Sequence, residues 1–196
     1  MNGYVAIIVG YLLGSVPFGY LVSKYWKGIN ILEHGSGNIG FTNVLRTLGW
    51  PPAAVVLIGD ISKGYFAAWL GLYIGGEVFG ILCGLAALIG HSFSVFLRFR
   101  GGKLVACGFG VLLALVPEVA FSALATWLVV VFLTRYVSLA SITASVVMAL
   151  SMFLFDESAA MRVFGFIAAV FLILRHKNNI IKLLHGNENK ISLKNR

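Results

Sequence analysis

Three stretches of this chain, Met1 to Ser23, Val78 to Leu97 and Tyr136 to Phe155, contain no Asp, Glu, Lys or Arg. A helix needs about 20 apolar residues to cross the ~30 Å hydrocarbon core of a bilayer, and each stretch is long enough. In water such runs would leave large apolar patches exposed. The whole chain agrees with them, since 59% of its residues are hydrophobic and only 11% are charged. Soluble domains carry about 25% charged residues. The membrane is therefore the expected solvent. There the backbone must satisfy its own hydrogen bonds, which favours helices.

The same logic divides the rest of the chain. Met1–Ser23 is read as helix one, Pro51–Ile74 as helix two and Val78–Leu97 as helix three. Leu104–Val116 and Val119–Thr134 follow as helices four and five, parted by Pro117-Glu118. Tyr136–Phe155 and Ser158–Leu174 are helices six and seven. Pro17 predicts a kink in helix one, and Gly14, Ser15 and Gly19 permit close helix contact. From Arg175 a short surface helix and a frayed end are expected. The expectation is an all-α, polytopic seven-helix membrane bundle forming a single domain over residues 1–196. Helix one lacks a basic leader and a small-residue cleavage site, so it is read as retained.

Orientation follows from charge. With the N-terminus outside, one set of loops holds Lys24, Lys27, Arg46, Arg98, Arg100, Lys103, Arg135 and the basic tail. The other set holds Glu77, Glu118, Asp156 and Glu157, with Arg162 as its basic residue. Positive charge marks the cytoplasmic side. The C-terminus is therefore expected in the cytoplasm. The net charge of +8 fits anionic headgroups and anionic substrates. No contiguous basic helix or zinc pattern points to nucleic acid. Cys83 and Cys107 have no CxxC spacing and read as apolar filler.

Three polar, glycine-rich clusters fall on that cytoplasmic side. The first is Gly35-Ser36-Gly37-Asn38-Ile39-Gly40-Phe41-Thr42-Asn43. Its glycines free the backbone, and Thr42 or Asn43 is expected to cap a short helix carrying Val44, Leu45 and Arg46. A helix start beside a glycine loop suits an anion. The second runs from Gly90-His91 to Arg98-Phe99-Arg100-Gly101-Gly102-Lys103, just before helix four. The third is Arg175-His176-Lys177-Asn178-Asn179, where Arg175, His176 and Asn179 would share a helix face. Each has a plainer reading, as a turning surface loop or a set of interfacial anchors. Their convergence on one side favours phosphate binding. His91 reads either as an interfacial histidine or as a site residue. Asp60 and Lys63, one turn apart inside helix two, read as a structural ion pair or as shaping a polar site.

Absent patterns narrow the chemistry. There is no G-x-x-x-x-G-K-[ST] loop for ATP and no acidic pair among the clusters for Mg²⁺. No H-x-x-x-x-D arrangement and no G-x-S-x-G elbow occur. No cofactor and no metal are expected.

Taken jointly, the motifs resemble the bacterial membrane glycerol-3-phosphate acyltransferases that use acyl phosphate as donor. That family's G-S-G-N-x-G-x-T-N is matched by Gly35 to Asn43. Its G-H followed by F-x-G-G-K is matched by Gly90-His91 and Phe99 to Lys103. Its R-H-x-x-N-I and G-x-E are matched by Arg175-His176, Asn179-Ile180 and Gly186 to Glu188. One departure stands out: the family continues G-G-K-G-V-A-T, whereas here Leu104 follows Lys103 and Cys107 replaces the threonine.

The resemblance implies transfer of a fatty acyl group from acyl phosphate to the 1-hydroxyl of glycerol 3-phosphate. The products would be lysophosphatidic acid and inorganic phosphate, the first acylation of phospholipid synthesis. On this reading Ser36, Arg46, Lys103, His176 and Asn179 serve glycerol 3-phosphate. Gly37, Asn38, Gly40, Thr42, Asn43, Gly101 and Gly102 cradle acyl phosphate. His176, Asn179 and Lys103 lie nearest the chemistry, with His91, Asp60, Lys63, Arg175 and Glu188 in support. The expected place is the bacterial cytoplasmic (inner) membrane, with the site facing the cytoplasm and membrane lipids around it. Nothing in the sequence demands more than a monomer. A transporter or flippase of a phosphorylated solute would use similar donors, but the chain lacks a charged path across the membrane. A lipid-binding scaffold leaves the convergence of donors without a purpose.

Overall fold

A computed structural model describes residues 2–191, and among these every regular element is helical. The chain forms two compact units, Met1–Leu115 and Val116–Arg196. Met1 and the expected frayed end lie outside the described residues.

The first unit opens with α1 (Gly3–Ser15), capped by the Asn2 side chain, which accepts from the Tyr4 N–H at 3.1 Å. Pro17 has no N–H to continue the ladder, so the helix breaks at Val16. α2 (Phe18–Lys27) then runs to Gly28, whose φ of 69° closes it in the left-handed region. Expected helix one is thus a broken pair. A short 3₁₀ turn (Ile31–Glu33) leads to α3 (Phe41–Leu48).

Next comes α4, which runs from Trp50 to Ser92, 43 residues in all. Unbroken, that length would extend about 65 Å, roughly twice the hydrocarbon thickness. It is not unbroken. Gly75 and Gly76 leave helical geometry, with φ of 71° at Gly76. A Cβ on Gly71 would overlap the Phe79 carbonyl, so the two halves close on each other backbone to backbone. The second half stops at Ser92, short of the expected Leu97. The chain there turns back, pairing Ser94 with Arg100, and a 3₁₀ turn occupies Val95–Leu97. α5 (Val105–Leu115) completes the unit.

Small residues make the contacts. Gly14 of α1 lies so close to Ala87 that a Cβ would overlap the Ala87 carbonyl. Gly64 and Gly110 bring α4 and α5 together in the same way, against the Cys107 and Ile61 carbonyls. Lipid offers no hydrophobic drive between helices, so such close packing supplies the attraction.

The second unit holds α6 (Pro117–Thr134), α7 (Val137–Leu154), α8 (Ala159–Arg175) and α9 (Lys177–Leu184). Pro117 occupies the first turn of α6, where its missing N–H costs nothing. Serines stitch α6 to α7: Ser122 Oγ donates to Ser151 Oγ at 3.0 Å, and Trp127 Nε1 donates to Ser141 Oγ at 3.2 Å. α8 starts at Ser158, whose hydroxyl accepts from the Met161 N–H. α8 and α9 meet at a bend of 61°.

Among the described residues, four helical stretches are long and apolar enough to cross a membrane: Gly3–Lys27, Trp50–Ser92, Pro117–Thr134 and Val137–Leu154. The bent pair α8 and α9 would make a fifth, and α5 is apolar but only 11 residues long.

Candidate active site

The first cluster is built around one carboxamide. Asn43 is 3% exposed, and its Oδ1 accepts from the Ser36 N–H at 2.9 Å. Its Nδ2 donates to the Asn38 carbonyl at 2.8 Å and the His34 carbonyl at 3.0 Å. Asn38 in turn accepts from the Gly40 N–H at 2.8 Å. Gly35 and Gly37 have φ of 59° and 68°, which other residues rarely adopt. The asparagine therefore shapes the loop. It does not cap α3: that position belongs to Gly40, and Thr42 and Asn43 lie within the first turn. Thr42 and Arg46 stand four apart on one face of α3, and Arg46 and Ser36 are exposed. Beneath the loop, Ile31, Ile39, Val44, Ala53 and Val56 form a buried cluster.

The second cluster meets the first at the same end of this unit, because Leu97 packs against that apolar group. Arg98 and Phe99 adopt positive φ and reverse the chain, and Phe99 donates to the Ser94 carbonyl at 2.8 Å. Ser94 Oγ donates to the Ser15 carbonyl at 2.6 Å, tying the turn to the end of α1. The Gly102 N–H donates to the His91 carbonyl at 2.9 Å. Lys103, half-buried, stands two residues before α5. Leu104 is 2% exposed with φ of 74°. It holds a conformation that suits glycine.

Beside these loops lies an open apolar cavity of about 330 Å³. Val16, Pro17, Tyr20, Leu21, Phe96 and Leu97 line it. Below, Asp60 and Lys63 form a buried ion pair at 2.8 Å, and Lys63 Nζ also donates to the Val16 carbonyl at 2.8 Å.

The third cluster lies in the second unit. Arg175, His176 and Asn179 do not share one continuous helix, since the chain bends at His176. His176 is 3% exposed, and its Nδ1 stands 2.9 Å from the Leu172 carbonyl. A carbonyl only accepts, so Nδ1 carries the proton and Nε2 is the acceptor of the neutral ring. Asn179 Nδ2 donates to Glu188 Oε1 at 2.7 Å, and Ser138 Oγ donates to the same oxygen at 2.8 Å. Gly186, with φ of 70°, turns the chain so that Glu188 returns to α9. Sequence reasoning missed Ser138, because a serine in an apolar helix carries no signal of its own. Among the described residues, no group of three or more His, Cys, Asp or Glu could hold a metal ion.

Comparison with known proteins decides the family, for the model of glycerol-3-phosphate acyltransferases matches residues 4–186. The chain belongs to the glycerol-3-phosphate acyltransferase family. It is 45% identical over 186 residues to a glycerol-3-phosphate acyltransferase of Carboxydothermus hydrogenoformans, covering 95% of each chain. It is 46% identical over 192 residues to one of Desulforudis audaxviator, covering 97% of each. It is also similar to PlsY (YgiH), an integral membrane glycerol 3-phosphate acyltransferase. Against the crystal structure of the glycerol 3-phosphate form, the TM-score is 0.94 at 36% identity, covering 98% of this chain and 96% of that one. Against the lysophosphatidic acid form the TM-score is 0.90 at 35% identity.

Proposed function

We propose that this glycerol-3-phosphate acyltransferase takes its acyl group from acyl phosphate. The 1-hydroxyl oxygen of glycerol 3-phosphate attacks the acyl carbonyl carbon. The bond from that carbon to the phosphate oxygen breaks, and lysophosphatidic acid and inorganic phosphate leave. The hydroxyl proton passes to His176 or to a phosphate oxygen. Acyl phosphate is a mixed anhydride, already activated, so neither ATP nor a metal is called for. The task left to the protein is to hold two anions together, which lowers the entropic part of the barrier.

The observation that carries this reading is the loop that Asn43 organises beside the Lys103 turn and the apolar cavity. Amide and lysine donors suit phosphate, and a cavity of that size and lining suits an acyl chain. Gly37, Asn38, Gly40, Thr42, Gly101 and Gly102 would cradle acyl phosphate, with Asn43 shaping the loop of the first four. Ser36, Arg46 and Lys103 would serve glycerol 3-phosphate together with His176 and Asn179. His176 positions that substrate. A backbone carbonyl fixes its tautomer without the negative charge that would stabilise an imidazolium.

The protein works in the bacterial cytoplasmic membrane, as one acyltransferase domain with its active site toward the cytoplasm. The chain crosses seven times, with N-terminus outside. The two halves of α4 each cross once, and α5 and α8 add two further crossings. The Gly75–Gly76 break and the segregation of Lys and Arg support this topology.

Donor competition tests the chemistry. Purified protein should acylate labelled glycerol 3-phosphate from palmitoyl phosphate, and palmitoyl-coenzyme A should not substitute. Acylation from the thioester alone would refute the donor assignment.

A further inference from the structure

We propose that His91 is a positioning residue, a wedge that sets the Gly101-Gly102-Lys103 turn. This rests on Lys103 serving as a phosphate ligand, as proposed above. His91 grips the turn twice. Its carbonyl accepts from the Gly102 N–H at 2.9 Å, and its ring fills the space beside the Gly102 Cα. A Cβ on Gly102 would overlap the ring at Nε2, Cε1 and Cδ2. Neither Gly101 nor Gly102 has the positive φ that calls for glycine. Lack of space keeps both positions small. At Gly102 the obstacle is a side chain, whereas at Gly101 it is the backbone of His91 and Ser92.

The ring is itself held from behind. His91 is 3% exposed, and its Nδ1 lies 3.7 Å from Asp60 Oδ1, too long for a hydrogen bond but close for a polar contact. Asp60 is paired with Lys63, and Lys63 reaches the Val16 carbonyl where Pro17 breaks the helix. A buried ion pair contributes little net stability, since desolvation offsets the attraction. Its place suggests another use. It borders the Nδ1 edge of the imidazole, while the Nε2 edge meets Gly102, one residue before Lys103.

The test exploits the difference between the two glycines. The readouts are kcat and KM for glycerol 3-phosphate acylation from palmitoyl phosphate, with thermal melting in detergent. Gly102→Ala should lower kcat/KM about tenfold or more, as overpacking displaces the turn. His91→Ala removes every ring atom in the way. It should itself raise KM more than it lowers kcat, because the turn loosens. Adding Gly102→Ala to His91→Ala should then cost nothing further, whereas Gly101→Ala should remain damaging in both backgrounds. Losses at His91 and Gly102 that simply multiply would overturn the wedge, since independent sites add in free energy. So would an unchanged KM in His91→Ala.

Lys103→Ala supplies a comparison that stands even if Gly102→Ala fails to insert. Its effect should shrink several-fold in the His91→Ala background, since the lysine is already misplaced there. An equal loss in both backgrounds sinks the wedge and leaves the phosphate role of Lys103 standing. No loss in the parent sinks the phosphate role instead.

Discussion

The carboxamide nitrogen of Asn179 donates to Glu188 Oε1 at 2.7 Å, across the turn made by Gly186. Ser138 donates to the same oxygen, so one carboxylate fixes a residue of α9 and the start of α7. A hydrogen bond to a charged group contributes about 1.5–3 kcal/mol when buried, and less at a half-buried site such as this. Glu188→Ala should therefore raise the KM for glycerol 3-phosphate by roughly tenfold, while Glu188→Gln, which keeps an acceptor, should lose less. Steady-state kinetics of the two variants check the order. An equal loss in both would mean that the negative charge, and not the hydrogen bond, matters.

Lys103→Ala should leave a protein that inserts and melts normally but works poorly. A lysine–phosphate contact of about 1.5–3 kcal/mol corresponds to roughly 10- to 150-fold in kcat/KM. Unchanged kinetics in detergent would reduce Lys103 to an interfacial anchor.

Leu104 sets two effects against each other. Its φ of 74° costs about 1–2 kcal/mol for a residue with a Cβ. Its side chain is 2% exposed, and truncating a buried leucine costs about 2–5 kcal/mol. Packing wins, so Leu104→Gly should melt lower than the parent while keeping its activity, because the backbone path suits glycine. The sign is clearest against alanine. Leu104→Gly should be more stable than Leu104→Ala by about 1 kcal/mol, the reverse of the usual order in helices. Thermal melts of the two variants decide it, and alanine as the more stable would show that the strain is absent.

Removing the imidazole in His176→Ala should raise the KM for glycerol 3-phosphate more than it lowers kcat, with the shape of the pH profile kept. A general base would instead lose roughly 10²–10⁴ in rate along with the acidic limb of the profile. Profiles for parent and variant at saturating substrate separate the two.

Charge-free run lengths and composition were enough for the apolar helices, the break at Pro17 and the division near Gly75–Gly76, because each follows from local chain chemistry. The motif residues were visible too. Their hydrogen-bond partners were not. Asn43 read as a ligand or a cap, yet its amide meets carbonyls as far back as Ile31, a contact the fold creates. Glu188 entered only through the resemblance, and it is Gly186 that folds it back onto Asn179. The shared helix face of Arg175, His176 and Asn179 assumed a straight helix, and the bend at His176 removes it. At Leu104 the usual sign of a left-handed turn, a glycine, is missing from this chain, and only the resemblance, whose family has glycine there, marked the position.

The most direct test of the account is the balance of products. Purified protein, with EDTA present and without ATP or coenzyme A, is given palmitoyl phosphate and labelled glycerol 3-phosphate. Lysophosphatidic acid and inorganic phosphate are then measured together. The account predicts that both appear, one for one, and that neither Mg²⁺ nor ATP raises the rate. Phosphate release without lysophosphatidic acid, or turnover that needs added metal, would contradict it.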